Sequence, residues 1–406
     1  MAHNRRVLRF WWGGLLLAAA LTGCLSPVAM HRAVLEYDRT VSYIESDLLL
    51  LNIARARHHR PVHFTAVSSV AATFDFRTTV GLTGIWGRSP DKEPFTFEYT
   101  ATVAENPTIT IVPINGEEFT KRVLRPLDEA KFEFLVHQGY DINMALRLIA
   151  RGITIEDERG NRTLLPNAPS QPEGYREFRK RLLHLASLQA VRQLFVGPLL
   201  FEESRQVLVN RSPNPEEVVE GLEKGYRWTV STDSKTPTLT RKEVGRIAIT
   251  NYDPNRLPNE ERRKLHEEAQ RASPDTILVD LRPDYPGGDY PLRGSIHLRS
   301  LNAIIAFVAK GIGEEPEFQV EPDGRTKTVG RNPARTLEVE EAPGKPSDFE
   351  FSVEFDGRYY SIRKYPVSEG MVPSWNQEAF AVLSNLFQMT VTDLTKYPTP
   401  AITIAK

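Results

Sequence analysis

The chain has 406 residues, of which 40% are hydrophobic and 25% are charged. This is enough for about two or three domains with real cores. The 51 Lys and Arg residues are balanced by 52 Asp and Glu residues. A nucleic-acid-binding protein needs a basic excess, so the balance argues against nucleic acid as a partner. The single cysteine excludes an internal disulfide framework and a multi-thiolate metal site.

The first 24 residues have the three parts of an export signal. Arginines at positions 5, 6 and 9 precede an apolar stretch over residues 10–21. This stretch is too short to span a bilayer comfortably, which takes about 20 apolar residues. Two small residues then separate Leu21 from Cys24, the only cysteine of the chain.

The motif Leu21-Thr22-Gly23-Cys24 resembles the lipobox of bacterial lipoproteins. The resemblance implies that residues 1–23 are removed, that the Cys24 sulfur receives a diacylglycerol, and that the new amine is acylated, as with palmitate. A thiolate is a good nucleophile for lipid transfer, and several acyl chains are needed because one gives only marginal membrane binding. No Asp follows Cys24, which favours the outer membrane, on its periplasmic or surface face. The alternative is an ordinary secretory signal or an uncleaved anchor.

Loss of residues 1–23 would remove three arginines and no acidic residue. The remaining 383 residues would carry 48 basic and 52 acidic groups, a mild net charge of −4.

Residues 32–57 have the clearest helical pattern. Apolar residues recur at steps of three and four and form a seam on one helix face; they are Val34, Tyr37, Val41, Ile44, Leu48 and Leu51. The seam predicts a helix packed on the body of the protein. A coiled-coil or partner-binding helix is the alternative.

A basic run with three histidines follows this helix. His58, His59 and His63 have the residue type of metal ligands, but no carboxylate or thiolate lies within the run, and its arginines oppose a cation. The sequence therefore favours an anionic partner, such as a phosphate or a lipid headgroup, over a metal.

Several patches between about residues 30 and 310 are similar to a family of uncharacterised bacterial envelope lipoproteins. They are Leu51–Arg55 with Pro61–Phe64 and Val67–Val70, Asn106–Thr110, Gly116–Phe119, and Leu298–Ser300 leading into a helix. The family has no assigned activity, so the resemblance supplies no catalytic residues. The histidine-rich run departs from the pattern.

Alternating apolar residues predict strands over 62–86 and 95–103, with a turn at Asn106-Pro107 and a return strand at 109–111. Helical patterns follow over 117–155, and Asp141 is a candidate cap. The proline and glycine residues in 283–294 predict a long loop. Near the carboxyl end, Asp356-Gly357 predicts a tight hairpin turn.

These patterns predict an α+β fold in which small antiparallel sheets and hairpins pack with amphipathic helices in several subdomains. The predicted order is a signal peptide (1–23), a lipidated tether (24–31), an N-terminal α+β domain (32–155), a central α+β domain (156–313), a flexible polar loop (314–347) and a C-terminal hairpin-helix unit (348–406).

The sequence contains no G-x-S-x-G, P-loop or C-x-x-C motif. The run His266–Gln270 begins like a zinc-protease motif but lacks the second histidine. The run Gly311–Gly313 lacks the third glycine of a dinucleotide-binding loop. The position of His184 on an apolar helix face predicts a buried imidazole with a structural role. We therefore assign no catalytic residue, metal or cofactor.

The sequence favours a non-enzymatic binding or assembly component, anchored through Cys24 and able to bind an envelope protein. The alternative is a lipid-anchored periplasmic hydrolase of cell-wall or carbohydrate substrates.

Overall fold

The computed structural model describes residues 31–83, 96–206, 214–230, 237–347, 349–363 and 375–391. Helices and small sheets are packed together in these ranges, which confirms the predicted α+β class. The predicted signal peptide, Cys24 and the tether up to residue 30 lie outside the described residues, as does the tail after residue 391.

The described helices and strands are as follows. The helices are α1 (31–57), α2 (Gly116–Phe119), α3 (Glu129–His137), α4 (Ile142–Ile149), α5 (Pro172–Ala190), α6 (Pro215–Glu223), α7 (Asn259–Arg271), α8 (Leu301–Gly311) and α9 (Trp375–Val391), with a π-helical turn at Thr120–Leu124 and a 3-10 turn at Pro254–Arg256. The strands are β1 (Thr65–Thr83), β2 (Thr96–Pro113), β3 (Ala150–Glu156), β4 (Arg162–Pro166), β5 (Phe195–Gln206), β6 (Tyr226–Val230), β7 (Pro237–Thr250), β8 (Thr276–Leu281), β9 (Leu292–Leu298), β10 (Val339–Ala342), β11 (Phe349–Phe355) and β12 (Arg358–Arg363). Within the described ranges, every helix is too short or too polar to cross a bilayer.

The chain divides into two compact units. The first comprises residues 1–48, 64–114 and 392–406, and the second comprises residues 49–63 and 115–391. This division differs from the predicted boundary at 155/156. Strand β3 lies before that boundary except for its last residue. It pairs with β4 and β9, which come after the boundary, so one sheet joins both predicted domains.

The first unit contains a long antiparallel hairpin of β1 and β2. The predicted turn at Asn106-Pro107 is wrong, because β2 continues through both residues and Pro107 pairs with Ala72. Proline lacks a donor N–H but is tolerated at a strand edge. Each strand of a two-stranded ladder has one such edge, so the proline need not end the strand.

The second unit is built on a mixed sheet with the order β4-β3-β9-β8-β7-β5, and β6 also pairs with β7. All its strand pairs are antiparallel except β7 and β8. Helix α7 lies between these two strands in the chain and provides the long connection that a parallel pair requires.

The two faces of this sheet have different environments. Side chains alternate between faces along each strand. Ile153, Ile277 and Ile296 are fully buried on the core face. On the opposite face, α7 packs Leu265 and Ala269 onto Ala248 and Leu278. The same cross-strand row continues to Ser295 on β9 and Thr154 on β3, where the side chains are polar and half-buried.

Helix α4 lies in the core of the second unit, and all eight of its residues are buried. Its N-terminus is capped by Asp141, as predicted, which accepts hydrogen bonds from Asn143 N and Met144 N. At its C-terminus, the Arg299 guanidinium donates to the carbonyls of residues 147 and 148. These bonds satisfy helix-end carbonyls that would otherwise lack partners.

A buried ion cluster joins α4 and α5 to the chain after α8. Arg147 Nη2 lies 3.1 Å from Glu317 Oε1, and the Tyr175 hydroxyl donates to the same oxygen. Arg179 donates to Tyr175 and to Asn332. Burial alone would raise the pKa of Glu317, but the Arg147 cation and hydrogen bonds from Thr336 lower it overall, so the carboxylate stays charged.

The segment 314–347 differs from the predicted flexible polar loop. It lacks helix and strand up to residue 338, as its composition indicates, but Val320, Thr336 and Leu337 are buried. Residues 339–342 form β10, which pairs with β12. The polar composition of the segment predicted exposure. The acidic Glu317 is nevertheless buried, because it pairs with Arg147 on α4.

The predicted seam of α1 is also wrong in detail. Val34 is 57% exposed, whereas Leu49, Leu50 and Ile53 are buried. The buried stripe therefore lies in the last turns of the helix and is rotated from the predicted one.

The predicted C-terminal hairpin is present as β11 and β12. Asp356 and Gly357 both have positive φ, 52° and 74°, which is the backbone of the tight turn that an Asp-Gly pair favours.

Candidate binding cleft

A cleft of about 830 Å³ occupies the open part of the sheet face beside α7. Its floor is formed by β3, β9 and the start of β8, and its walls are formed by α7, β4 and the loop before β8. The main lining side chains are Arg151, Thr154, Glu156, Arg162, Lys264, Glu267, Glu268, Arg271, Ser273, Asp275, Arg293, Ser295 and His297. The cleft is therefore polar and holds both signs of charge.

Most charges of the cleft are held in ion pairs. Glu156 lies 3.0 Å from Arg162 and Glu268 lies 2.9 Å from Arg293, while Asp275 lies 3.8 Å from Arg151. Each of these carboxylates therefore has an arginine as its neighbour.

Two cations of the cleft are not compensated in this way. Lys264 and Arg271 both line it from α7, and neither forms an ion pair with another described residue. They are seven residues apart, about 10 Å along the helix. An anionic or dipolar ligand lying along α7 could therefore contact both.

A hydroxyl–imidazole pair lies on the cleft floor. Thr154 Oγ1 is 2.7 Å from His297 Nε2. Burial lowers the pKa of His297, and the nearby Arg151 cation lowers it further, against a smaller opposing effect of Asp275. The imidazole is thus neutral near pH 7. Its Nδ1 atom has no hydrogen-bond partner among the described residues.

A glycine allows the two floor strands to approach each other. A Cβ atom at Gly294 would lie 1.9 Å from the carbonyl oxygen of Thr154, far inside contact distance. Gly294 therefore determines the β3–β9 spacing, and with it the position of Thr154 beside His297.

The histidine-rich run after α1 does not converge on one point. His58 Nε2 lies 2.5 Å from the Tyr360 hydroxyl, whereas the exposed His59 lies 3.4 Å from Glu314. The Asn52 side chain binds the His63 backbone twice: its Nδ2 donates to the His63 carbonyl, and its Oδ1 accepts from the His63 N–H. Across the described ranges, no group of three or more His, Cys, Asp or Glu side chains is placed to hold a metal ion.

Two further histidines have structural partners. His184 is buried, its Nε2 donates to the Gly287 carbonyl, and its Nδ1 is 3.4 Å from Thr326 Oγ1. His266, from the incomplete zinc-protease motif, accepts the Arg246 N–H at its Nδ1. Both imidazoles are neutral parts of the packing.

The cleft residues were not identified from the sequence. The first three residues of β9 were assigned to the loop 283–294 and the next three to no element, so the alternation of Arg293, Ser295 and His297 was missed. The usable signal was the run Leu292–Leu298, in which polar residues alternate with Leu, Gly and Ile.

We expect the protein to lose thermal stability as the pH falls from 7.5 to 5.5. Burial is the largest cause that lowers the pKa of His184, His266 and His297. The unfolded imidazoles therefore bind protons that the folded ones do not, and stability rises with pH through this range. The maximal slope is about 1.4 kcal/mol per pH unit for each such group.

Melting temperatures measured from pH 7.5 to 5.5 test this prediction. The variant His184→Gln should flatten the dependence. The control Gln138→Ala, which removes an exposed side chain that does not titrate, should leave it unchanged. A melting temperature that is constant or rises on acidification would contradict the assignment of neutral buried histidines.

Comparison of the chain with protein-family models, with curated proteins and with solved structures found no match. The resemblance to uncharacterised envelope lipoproteins therefore stays a prediction.

Proposed function

We propose that this chain is a lipid-anchored bacterial envelope protein that acts as a non-enzymatic binding component, with the cleft beside α7 as its ligand site. The anchor is Cys24, in the outer membrane. The observation that carries the binding role is the cleft itself: a preformed cavity of about 830 Å³ with charges of both signs.

The pairing of the cleft charges supports binding over catalysis. A general acid or base has to reach the proton that it transfers. Glu156, Glu268 and Asp275 are instead each within ion-pair distance of an arginine. Such side chains recognise a ligand by charge and hydrogen bonding. A polar, charged envelope ligand, including a segment of a partner protein, fits this lining.

Filling the cleft should abolish ligand retention. Ser295 lies in the middle of the floor, between Thr154 and Leu278 in the cross-strand register, so Ser295→Trp would place an indole in the cavity. We expect the species that co-purify with the tagged protein from detergent-solubilised membranes to be lost in this variant.

The matched control is Ser204→Trp, on the exposed side of β5 and outside the cleft. Both variants should keep the melting temperature of the wild type within a few degrees. Identical co-purifying species in wild type and a folded Ser295→Trp variant would contradict the cleft as ligand site.

The second candidate function, a cell-wall or carbohydrate hydrolase, is favoured by one observation, the contact of Thr154 with His297. A base next to a hydroxyl is the start of a nucleophilic site. Among the described residues, however, no carboxylate hydrogen-bonds to His297 Nδ1 and orients the ring. Turnover of a peptidoglycan or oligosaccharide substrate that is lost in Thr154→Val would favour this alternative.

A further inference from the structure

A second cavity, of about 590 Å³, lies next to the cleft and shares Ser273 and Asp275 with it. We call it the basic cavity. It is enclosed by the π-helical turn, the start of α3, the loop 273–275 and the end of α9. Its charged and hydroxyl-bearing lining residues are Lys121, Arg122, Arg125, Asp128, Lys131, Ser273, Asp275 and Thr390.

The connection between the π-helical turn and α3 has a fixed backbone. Arg125 N donates to the Thr120 carbonyl, and Leu127 N donates to the Arg299 carbonyl, while Pro126 forms an isolated bridge with Ser300. A π-turn is uncommon and often occurs at functional sites. Here it brings Lys121, Arg122 and Arg125 to one cavity within five residues.

The cations of this cavity outnumber its carboxylates by four to two. Three have acidic neighbours: Lys121 with Glu117, Arg122 with Glu118, and Lys131 with Asp128. Of these acids only Asp128 lines the cavity. Arg125 forms no ion pair with any other described residue, so its charge is available to a ligand.

The two carboxylates of the lining have their own partners. Burial alone would raise the pKa of Asp128, but Lys131 and backbone N–H donors lower it overall, and the carboxylate caps α3. Asp275 lies beside Arg151. Neither neutralises Arg125.

A buried hydroxyl supplies an independent observation. Thr390 is only 8% exposed, and its Oγ1 has no hydrogen-bond partner in the part of the chain that the structure describes. A buried hydroxyl without a hydrogen-bond partner is destabilising. Because Thr390 lines the basic cavity, a ligand oxygen there could accept its proton.

We propose that the basic cavity binds a phosphate group, with Arg125 as its main ligand and the Thr390 hydroxyl as an additional donor. Arginine recognises phosphate through two parallel hydrogen bonds and a full charge. The Lys121 and Arg122 cations add to the attraction. Arg125 and Thr390 do not line the cleft, so the proposal does not depend on the function proposed for the cleft. The phosphate can belong to a lipid headgroup or to a free phosphate ester.

The test uses the full detergent-purified protein and titration calorimetry with two probes: inorganic phosphate, and a short-chain phosphatidic acid below its micelle concentration. Wild type should bind at least one probe. Arg125→Gln should raise the dissociation constant about tenfold or more, the effect of losing one charge-assisted hydrogen bond. Thr390→Val should raise it by a smaller factor.

The matched control is Arg227→Gln, which removes an exposed arginine of β6 outside both cavities and should change the constant less than twofold. Tighter binding of the lipid probe would identify a headgroup site, and equal binding would identify a site for phosphate alone. If neither probe binds wild type, or if Arg125→Gln binds as wild type does, the proposal is wrong.

Discussion

Replacement of Glu317 by Ala is expected to lower the free energy of unfolding by about 3–5 kcal/mol, the usual cost of removing one partner of a buried ion pair. Arg147 is 0% exposed, and its guanidinium would lose the carboxylate 3.1 Å away. Tyr175 and Thr336 would lose their acceptor as well. Chemical unfolding followed by circular dichroism measures the change.

The matched control is Glu314→Ala. Glu314 belongs to the same segment but pairs with Arg57 near the surface, and such pairs contribute about 0–1 kcal/mol. If both variants unfolded at the same denaturant concentration, Glu317 would not be the residue that holds the segment 314–347 to the core.

Replacement of Gly294 by Val is expected to destabilise the protein by about 3 kcal/mol or more, the range reached only by severe steric or backbone changes. The new Cβ would overlap the Thr154 carbonyl, 1.9 Å away, so β3 and β9 would have to separate. The change should also move Thr154 away from His297 and lower the affinity of the cleft for its ligand. Melting temperature and ligand retention provide the two readouts.

Gly324→Val is the control, because a Cβ at that position meets no atom within 4 Å. It should change the melting temperature by no more than a few degrees. A Gly294→Val protein with wild-type stability would contradict the close approach of the two strands.

Local chemistry allowed several elements to be predicted. Asp141 caps α4, as predicted, through bonds to N–H groups within three residues. The Asp356-Gly357 turn likewise depends only on its own backbone preference. Such features can be predicted from sequence, because the hydrogen-bond donor and its acceptor lie within a few residues of each other.

The cleft and the buried ion cluster depend on distant partners. Arg151 meets Asp275 across more than a hundred residues, and Glu317 meets Arg147 across 170 positions. A polar residue in a polar segment gives no sign of such a partner. Strand β9 was missed for a related reason: its polar face lines a cleft that exists only once β3 and α7 are in place.

The most direct test of the proposed anchored binding protein is mass spectrometry of the mature N-terminal peptide from membrane-purified protein. The account predicts a polypeptide that begins at residue 24, with the mass of a diacylglycerol and a further acyl chain on Cys24. A chain that begins elsewhere, or a Cys24 without fatty acid, would contradict it.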